Sequence, residues 1–311
     1  MKTVAIIKDI NGFWPYYQKE FEKYGFRVDL FNIWLESERR RLLRSSFDGF
    51  VWRAKHDPKI RNLAKRYLYM YSQLFHVPTF PLWSDYWHYD DKIAQTILMQ
   101  KTGINTPETY IFYDKQEALD FIRQADYPIV YKYPHGAGSS NVGLLKNKWQ
   151  ARRYINHAFG KGIKTFFREE IQRHFVYLQT FLAGNTGDYK VICVGGKVIY
   201  GLYRENKPDK PFASGSGRLH TPELPQDLVN FVVGAHQKLQ AHIMSYDIMK
   251  DEKGNWAVGE FGTIHGDLKS TAYNSAPLYC FKEGRWQTCG RAGNRIERHI
   301  HYILEEAWKW I

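Results

Sequence analysis

The stretch 127–143 constrains this chain more than any other segment. An apolar β-type run carrying one lysine, Lys132, leads into a Gly/Ser loop, and apolar residues return at Val142–Leu145. This pattern predicts a β-hairpin with a mobile tip. Gly136 and Gly138 lack a Cβ, so the loop's backbone N–H groups can close on an anion, and a lysine charge suits a phosphate. Alone the hairpin also fits a solvated turn, so its meaning depends on the motifs that follow.

Length and cysteine content bound the class of protein. A chain of 311 residues can bury a large core and is expected to hold two or three subdomains. Apolar runs stay below the ~18 residues of a membrane span, and the short, early-charged start predicts a first strand rather than a signal peptide. Three cysteines without metal-ligand spacing argue against a disulfide framework or a zinc site, and favour a reducing cytoplasm.

The charge balance points to anionic ligands. Lysine and arginine total 44 against 32 acidic residues, giving a net charge of +12, without a dense basic tail or a nucleic-acid motif. This excess of positive charge favours binding of an anionic small molecule or polymer, and a generic basic surface explains it equally well. Aromatic residues make up 16% of the chain and suit sugar stacking, protein contacts or core packing.

Three regions emerge from the pattern of helix and strand signals. Residues 1–85 alternate predicted strands (3–7, 27–31, 47–52) with predicted helices (15–24, 36–44, 58–75). This alternation predicts a small parallel sheet with crossover connections. Residues 78–81, Pro-Thr-Phe-Pro, break the pattern and are expected to form a linker.

The second region, 86–171, contains the glycine hairpin, and the third, 172–311, contains long strand signals. Predicted helices in the second region cover 90–103, 115–124 and 149–159, with a strand at 109–112. The third region has predicted strands at 175–182, 189–194, 197–203, 245–250 and 257–261, and helices at 224–241 and 295–311. Gly195-Gly196 predicts a tight hairpin.

The last predicted helix carries an apolar stripe. Core packing explains such a stripe best, with a dimer surface as the alternative. Its members are Ile296, Ile300, Ile303, Leu304, Ala307, Trp308 and Ile311.

Taken in order, the motifs over roughly residues 88–267 resemble the ATP-grasp superfamily, in its ribosomal-protein glutamate ligase and glutathione synthetase branch. They are Asp91-Lys92 before the Gly-Ile-Asn-Thr-Pro-Glu-Thr run at 103–109, Lys132, the Gln-Thr-Phe-Leu run at 179–182, the Asp-Tyr-Lys run opening 188–198, Arg204, and Asp247 with Glu260. The resemblance implies an α/β ATP-grasp fold. Residues 1–85 would be a Rossmann-like pre-ATP-grasp subdomain, and the nucleotide would lie between two α+β subdomains, 86–171 and 172–311.

The resemblance also implies ligands at matching positions. ATP would be bound by Lys92, Lys132, Gly136, Gly138, Ser139, Ser140, Gln179, Thr180, Phe181, Leu182 and Asp188. Asp247 and Glu260 would hold Mg²⁺, with Mn²⁺ as an alternative, because hard cations take carboxylate and phosphate oxygens. The two residues lie on predicted strands joined by a turn, so both can face one cleft. Arg204 and Lys190 would be catalytic, and the Arg204 fork suits a planar carboxylate or phosphoryl group.

The chain departs from the family pattern near the metal site. Gly262 stands where the family has asparagine, and Ser214-Gly215 stands where it has Ser-Asn. Either one metal ion is lost or another oxygen substitutes. The candidates for that oxygen are Thr263, Asp267, Ser214 and Ser216. Among the histidines, His135 is a candidate phosphate contact, and at most one of His220 and His265 is expected to act.

The leading functional hypothesis is an ADP-forming carboxylate–amine ligase that uses ATP through an acyl phosphate. Its acidic substrate would be an amino acid, a peptide, or a uronic-acid sugar or polysaccharide. The alternatives are an ATP-grasp kinase acting on a hydroxyl of a polyanionic acceptor, and a nucleotide-binding protein without turnover. The expected partners are a carboxylate and an amine, without nucleic acid or a membrane span, and with a homodimer as a possible assembly.

Overall fold

The first region forms a four-stranded parallel sheet covered by helices. A computed structural model describes residues 1–9, 13–136, 138–264 and 272–308 of the protein. Its first elements are β1 (Thr3–Ile7), α1 (Trp14–Lys23), β2 (Arg27–Phe31), α2 (Glu36–Arg44), β3 (Gly49–Val51), α3 (Pro58–Tyr69, continued as a π-helix over Met70–Leu74), β4 (Thr79–Phe80) and α4 (Trp83–Tyr86). The strand order is β2-β1-β3-β4. The predicted parallel sheet with crossovers is confirmed.

The prediction that residues 78–81 form a linker is wrong, because β4 is the edge strand of this sheet. The carbonyl of Pro78 accepts from the N–H of Phe50 at 2.9 Å, and that of Phe80 accepts from Trp52 at 2.9 Å. Proline lacks a donor but keeps its carbonyl, so prolines are compatible with an edge strand that mainly accepts.

The second region is built on an antiparallel sheet. Its elements are α5 (Lys92–Thr102), β5 (Thr109–Phe112), α6 (Lys115–Gln124), β6 (Ile129–Lys132), β7 (Val142–Leu145), α7 (Lys148–Ala158), β8 (Ile163–Lys164), β9 (Ile171–Gln172) and β10 (Val176–Thr180). The sheet order is β5-β10-β6-β7, so the glycine hairpin β6–β7 lies at its edge. Because β10 pairs between β5 and β6, this sheet extends past residue 171, and the boundary at 171 stays a prediction.

The third region contains the largest sheet. Its elements are β11 (Gly187–Val194), β12 (Val198–Glu205), β13 (Leu219–His220), α8 (Gln226–Leu239), β14 (Ile243–Lys250), β15 (Trp256–Gly262), α9 (Ala272–Ser275), β16 (Pro277–Lys282), β17 (Arg285–Arg291) and α10 (Arg295–Tyr302, continued as a π-helix over Ile303–Ala307). The order is β15-β14-β11-β12-β16-β17, with β13 beside β12. Gly195 and Gly196 both have positive φ, 59° and 67°, as the predicted tight hairpin requires.

The C-terminal segment closes the third region onto the first. Ile296, Ile300, Ile303 and Trp308 are buried in one core with residues of β1, α1, β11 and β12. The apolar stripe of the last helix is therefore core, and the dimer interpretation receives no support from it; Ile311 lies outside the described residues.

One cysteine pair corrects the expectation drawn from the cysteine count. Cys280 on β16 and Cys289 on β17 are joined by a disulfide, while Cys193 is a buried free thiol. An odd count did not exclude a bond within one hairpin, where neighbouring strands bring side chains together. In the part of the chain that the structure describes, no helix is both long and apolar enough to cross a membrane.

Candidate active site

A cavity of about 810 Å³ lies where the three regions meet. Its wall contains every residue that the sequence assigned to nucleotide, metal or catalysis. These are Lys92, Lys132, Gly136, Gly138, Ser139, Ser140, Gln179, Thr180, Phe181, Leu182, Asp188, Lys190, Arg204, Asp247 and Glu260. The fold therefore brings together residues that are up to 168 positions apart, and the role of each stays a prediction.

Strand register places the charged side chains on one face of the third sheet. Asp188 on β11 pairs with Arg204 on β12, Lys190 on β11 pairs with Asp247 on β14, and Asp247 pairs with Glu260 on β15. Residues that pair directly across strands share a face, as do residues two apart on one strand. The four strands thus present three acids and two bases on one face toward the cavity.

Arg204 and Lys190 neutralise the two central carboxylates. Arg204 donates to Asp188 from Nε at 2.6 Å and Nη2 at 2.7 Å, and its Nη2 lies 2.8 Å from Asp247 Oδ2. Lys190 donates to Asp247 Oδ1. Burial opposes ionisation of Asp247, yet the neighbouring Arg204 and Lys190 cations hold its pKa well below its usual range. Asp247 is therefore an anion at neutral pH. Any substrate that reaches Arg204 contacts a guanidinium that already donates to Asp188.

A β-bulge in β15 provides a hydrogen-bond acceptor for Lys132. The pairing of β14 with β15 shifts after Asp247, so that Gly259 is an extra residue between Glu260 and Val258. A bulge leaves a residue outside the regular ladder. Here the Gly259 carbonyl accepts from the Lys132 ammonium at 3.3 Å. Lys132 is only 8% exposed, so this contact holds a lysine that is largely removed from water.

Lys92 contacts both Glu260 and the glycine hairpin. Its ammonium lies 3.3 Å from Glu260 Oε1 and donates to the Gly136 carbonyl at 3.1 Å. Burial alone would lower the pKa of Lys92, but the Glu260 and Asp90 carboxylates outweigh it and raise the pKa above its ordinary value. Lys92 therefore stays charged at the start of α5, where it faces the loop that precedes β7.

The tip of the hairpin lies against the loop after β12. Ser139 Oγ donates to the Ser214 carbonyl at 3.1 Å, and Lys207 Nζ donates to the Gly138 carbonyl at 3.2 Å. Gly136 has φ 125°, and a Cβ there would come within 2.7 Å of Asn141 Nδ2. Glycine at 136 is thus required by both conformation and space. The tip closes over the cavity, although Ala137 lies outside the described residues.

The base of the hairpin is anchored by an ionic network, here called the lid anchor: Arg61 and Asp90, which are buried, and His135 and Glu170, which are half-buried. Arg61, 1% exposed, lies 2.8 Å from Asp90 Oδ2 and 2.6 Å from Glu170 Oε1. Asp90 Oδ1 accepts from the Gly136 N–H at 2.8 Å, and His135 Nδ1 lies 3.0 Å from Glu170 Oε2. The lid anchor therefore ties helix α3 of the first region to the glycine loop.

Part of the cavity lining is apolar. Pro107, Val130, Leu182 and Met249 belong to it, together with Phe181, which follows the last residue of β10. The Gln179 amide donates to Thr109 Oγ1 at 2.7 Å and is buried, so its side chain is held by the protein. Apolar side chains beside backbone groups that follow the end of β10 suit the planar base of a nucleotide.

Comparison with known proteins decides the family. A family model described as RimK-like ATP-grasp domain matches residues 89–263, more than half of the chain. The chain belongs to the RimK-like ATP-grasp family. The family predicted from the motifs is confirmed, and with it the ligase class and the α/β fold.

Similar proteins are named as ligases or synthetases. The α-aminoadipate–LysW ligase LysX of Saccharolobus solfataricus is 21% identical over 202 residues, 63% of this chain and 70% of that protein. The glutamate–LysW ligase ArgX of Sulfolobus acidocaldarius is 23% identical over 56% of this chain and 60% of its own length. The crystal structure of D-cycloserine synthetase DcsG has a TM-score of 0.62 at 14% identity, covering 96% of this chain and 98% of that one.

The ATP-grasp family uses Mg²⁺, and the donor set of this cavity fits such an ion. Asp247 and Glu260 sit directly opposite each other on neighbouring strands and line the cavity. Mg²⁺ usually takes one or two protein carboxylates and completes its shell with phosphate and water oxygens. In the described part of the chain no cluster of three or more His, Cys, Asp or Glu residues forms.

Gly262 stands where the resemblance to the ATP-grasp family leads us to expect asparagine, and Tyr89 packs beside it. A Cβ at Gly262 would lie 3.7 Å from the Tyr89 ring, an ordinary van der Waals contact, so the backbone does not require glycine there. Of the possible substitutes, Ser214 lines the cavity and Thr263 and Ser216 are not among its lining residues. Asp267 lies outside the described residues.

The candidate histidines are engaged elsewhere or not described. His135 belongs to the lid anchor and is not a lining residue, and His220 Nε2 lies 2.7 Å from Glu205 Oε1. His265 lies outside the described residues. The suggestion that His135 contacts phosphate therefore receives no support from the geometry.

Sequence reasoning missed the contribution of the first region. Phe13, Tyr16, Arg53, Lys55 and His56 line the same cavity. The signal was available, because Arg53–His56 follows a predicted strand directly, and ligands bind beyond the carboxyl ends of parallel strands.

The predicted phosphate contact of Lys132 implies a pH dependence of nucleotide binding. Burial lowers the pKa of Lys132 to about 8, against the opposing influence of Glu260. The lysine is charged below this pH and neutral above it, and ATP prefers the charged form. The dissociation constant for ATP, measured by calorimetry from pH 7 to 9.5, is therefore expected to rise toward tenfold per pH unit above about 8.

The matched variant is Lys132→Arg, since a guanidinium stays charged over this range. We expect its ATP affinity to be flat between pH 7 and 9.5. Equal slopes in the wild type and the variant would show that another group causes the dependence.

Proposed function

We propose that this RimK-like protein joins a substrate carboxylate to an amine and consumes ATP. A carboxylate oxygen attacks the γ-phosphorus of ATP, ADP leaves, and an acyl phosphate forms. The amine lone pair then attacks the acyl carbon, the carbon–oxygen bond to phosphate breaks, and the nitrogen loses a proton. The products are an amide, ADP and inorganic phosphate.

The main observation behind this proposal is that two buried lysines, two carboxylates and a glycine loop line one cavity. Lys92 and Lys132 would hold the phosphates, and the lid tip excludes water from the acyl phosphate. Arg204 and Lys190 orient Asp247 and place positive charge beside the reacting oxygens, a preorganised electrostatic role. Mg²⁺ bound by Asp247 and Glu260 would neutralise the charge that spreads over the transferring phosphoryl group.

An amino acid or peptide is the substrate class best supported. The relatives named above join α-aminoadipate or glutamate to LysW. The basic composition favours an acidic substrate. A uronic-acid sugar, also expected from the aromatic content, has no support from the relatives and serves as a comparison in the test.

The test combines ADP release with trapping. The protein, Mg–ATP and hydroxylamine are incubated with pools of amino acids, short acidic peptides and uronic acids, and the products are identified by mass. A ligase yields a hydroxamate together with ADP. Lys132→Ala is expected to remove the ATP-induced rise in melting temperature and the product. A stable phosphorylated product without hydroxamate would replace the ligase with a kinase, and ATP binding without ADP release from any pool would replace it with a binding protein.

A further inference from the structure

Helix α7 and the β8–β9 hairpin of the second region concentrate positive charge on the protein surface. Residues 146–173 contain eight lysines and arginines against two glutamates, so 28 of the 311 residues carry half of the net charge of +12. All eight cations are exposed, and none of them is a described lining residue of the active-site cavity. We call them the basic face: Lys146, Lys148, Arg152, Arg153, Lys161, Lys164, Arg168 and Arg173.

The two glutamates of this segment pair with side chains outside the basic face. Glu170 lies 2.6 Å from Arg61 and 3.0 Å from His135, and Glu169 lies 3.7 Å from Lys59. Among the residues that the structure describes, no carboxylate lies at ion-pair distance from a member of the basic face. The protein therefore leaves this concentration of like charge without a partner of its own, and an anionic ligand would relieve the repulsion.

The β8–β9 hairpin continues the basic face beyond the end of α7. The Arg173 side chain packs against Gly162, in the turn between α7 and β8, because a Cβ at Gly162 would collide with it. Gln172 of β9 donates to a buried tyrosine hydroxyl of α7 at 3.2 Å, so its side chain points inward. Neighbouring strand residues alternate in direction, so Ile171 and its cross-strand partner Lys164 point outward. The charges of the helix and the hairpin thus form one continuous surface.

Two exposed aromatic side chains lie among these cations. Trp149 is 67% exposed and Phe166 is 64% exposed. The Arg153 guanidinium lies 5.7 Å from the centroid of the Trp149 ring, so charge and ring are presented together. Exposed aromatic faces beside cations are the two components of surfaces that bind unpaired nucleotides, because the rings stack on bases and the cations bind phosphates.

The side chains favour one kind of anionic partner over two others. Entry into a membrane would require the apolar side of α7, but that side is buried in the core of the second region. Protein interfaces are depleted in lysine, and the basic face contains four lysines. A single strand of nucleic acid offers phosphates to the cations and flat bases to the aromatic rings.

We infer that the basic face binds single-stranded nucleic acid, with its cations on the phosphates and with Trp149 and Phe166 stacked on bases. This binding activity is separate from the ligase reaction and does not depend on it. The inference departs from the sequence prediction of no nucleic-acid partner, which rested on the absence of a basic tail and of a known motif. RNA and DNA share the chemistry that the basic face recognises, so the experiment compares the two.

The test is fluorescence anisotropy of the full chain with labelled oligouridylate and oligothymidylate of about 16 nucleotides, the upper site size of single-strand binding folds. The Kd is measured from about 50 to about 200 mM salt, because each phosphate contact contributes about 0.7 to the slope of log Kd against log salt concentration. The triple variant Arg152→Gln, Arg153→Gln, Lys164→Gln is expected to lose about 2 from that slope and to bind at least about tenfold more weakly. Trp149→Ala should weaken binding about fivefold or more and leave the slope unchanged.

The matched control is the triple variant Lys19→Gln, Lys101→Gln, Lys253→Gln, which removes the same charge from exposed positions outside the basic face. It should retain the affinity and the slope of the wild type. Vesicles of phosphatidylcholine with phosphatidylserine, and polyglutamate, are titrated in parallel and should bind more weakly than the oligonucleotides. The inference would be overturned by an absence of oligonucleotide binding, by equal losses in the two triple variants, by unchanged binding in Trp149→Ala, or by vesicles or polyglutamate binding as tightly as the oligonucleotides.

Discussion

Changing Glu260 to glutamine is expected to reduce Mg²⁺-dependent turnover by about three orders of magnitude. Metal stabilisation of a phosphoryl transition state amounts to several kcal/mol, and each ~1.4 kcal/mol is tenfold in rate. Glutamine keeps the shape of Glu260 and can still accept a hydrogen bond from Lys92, which now lies 3.3 Å from Oε1. The fold should survive, because the side chain lines the cavity and is not part of a core.

The measurement is ADP release at saturating ATP, together with Mn²⁺ binding to the ADP complex. Glu252→Gln is the control, because Glu252 is exposed in the turn between β14 and β15. It should match the wild type in both assays. Full turnover in Glu260→Gln would remove Glu260 from the metal site.

Replacing Arg61 with methionine is expected to lower the free energy of unfolding by about 3–5 kcal/mol, the typical result of removing one partner from a buried ion pair. Arg61 is 1% exposed, and methionine would leave the Asp90 and Glu170 carboxylates close together without their cation. Asp90 also has φ 51° in the left-handed region, a conformation that its partners must maintain. Urea denaturation measures the loss.

The control is Arg40→Met, which removes an ion pair with Glu36 between side chains that are 67% and 59% exposed. Exposed pairs contribute little, so no measurable change is expected. The same variants also test whether the lid anchor supports ATP binding. Because Asp90 accepts from the Gly136 N–H, Arg61→Met should weaken ATP binding below its own melting transition, and Arg40→Met should not. An Arg61→Met protein as stable as the wild type would show that the lid anchor is not structural.

Most helices and strands were predictable because their signals are local. Periodicity placed α2 and α6 at their observed bounds, and Gly103, with φ 64°, ends α5 where the sequence indicated. The short strand β4 was missed, because two residues between prolines carry no periodicity and are held by acceptance of hydrogen bonds from β3. The Cys280–Cys289 bond was missed because pairing depends on which strands are neighbours.

The candidate site was likewise predictable only in part. The order of Lys92, Lys132, Arg204, Asp247 and Glu260 carried the resemblance to the family, and the resemblance implied their roles toward phosphate, metal and oxyanion, which stay predictions. What they contact was not predictable. The Arg204 fork is bound to Asp188, because β11 and β12 pair in one particular register.

Tertiary structure alone decided the features that depend on distant segments. A bulge at Gly259 positions Lys132 from 127 residues away, and Arg61 reaches Glu170 across 109. Phe13 and Arg53 reach the cavity from loops that are brought together because β1 and β3 are neighbours in the sheet. The sequence by itself determined which chemical groups are present and in what order, because residue type and local periodicity are written in the chain. Strand register and subdomain packing determined which of those groups meet, because burial and pairing energies act between segments that are far apart in sequence.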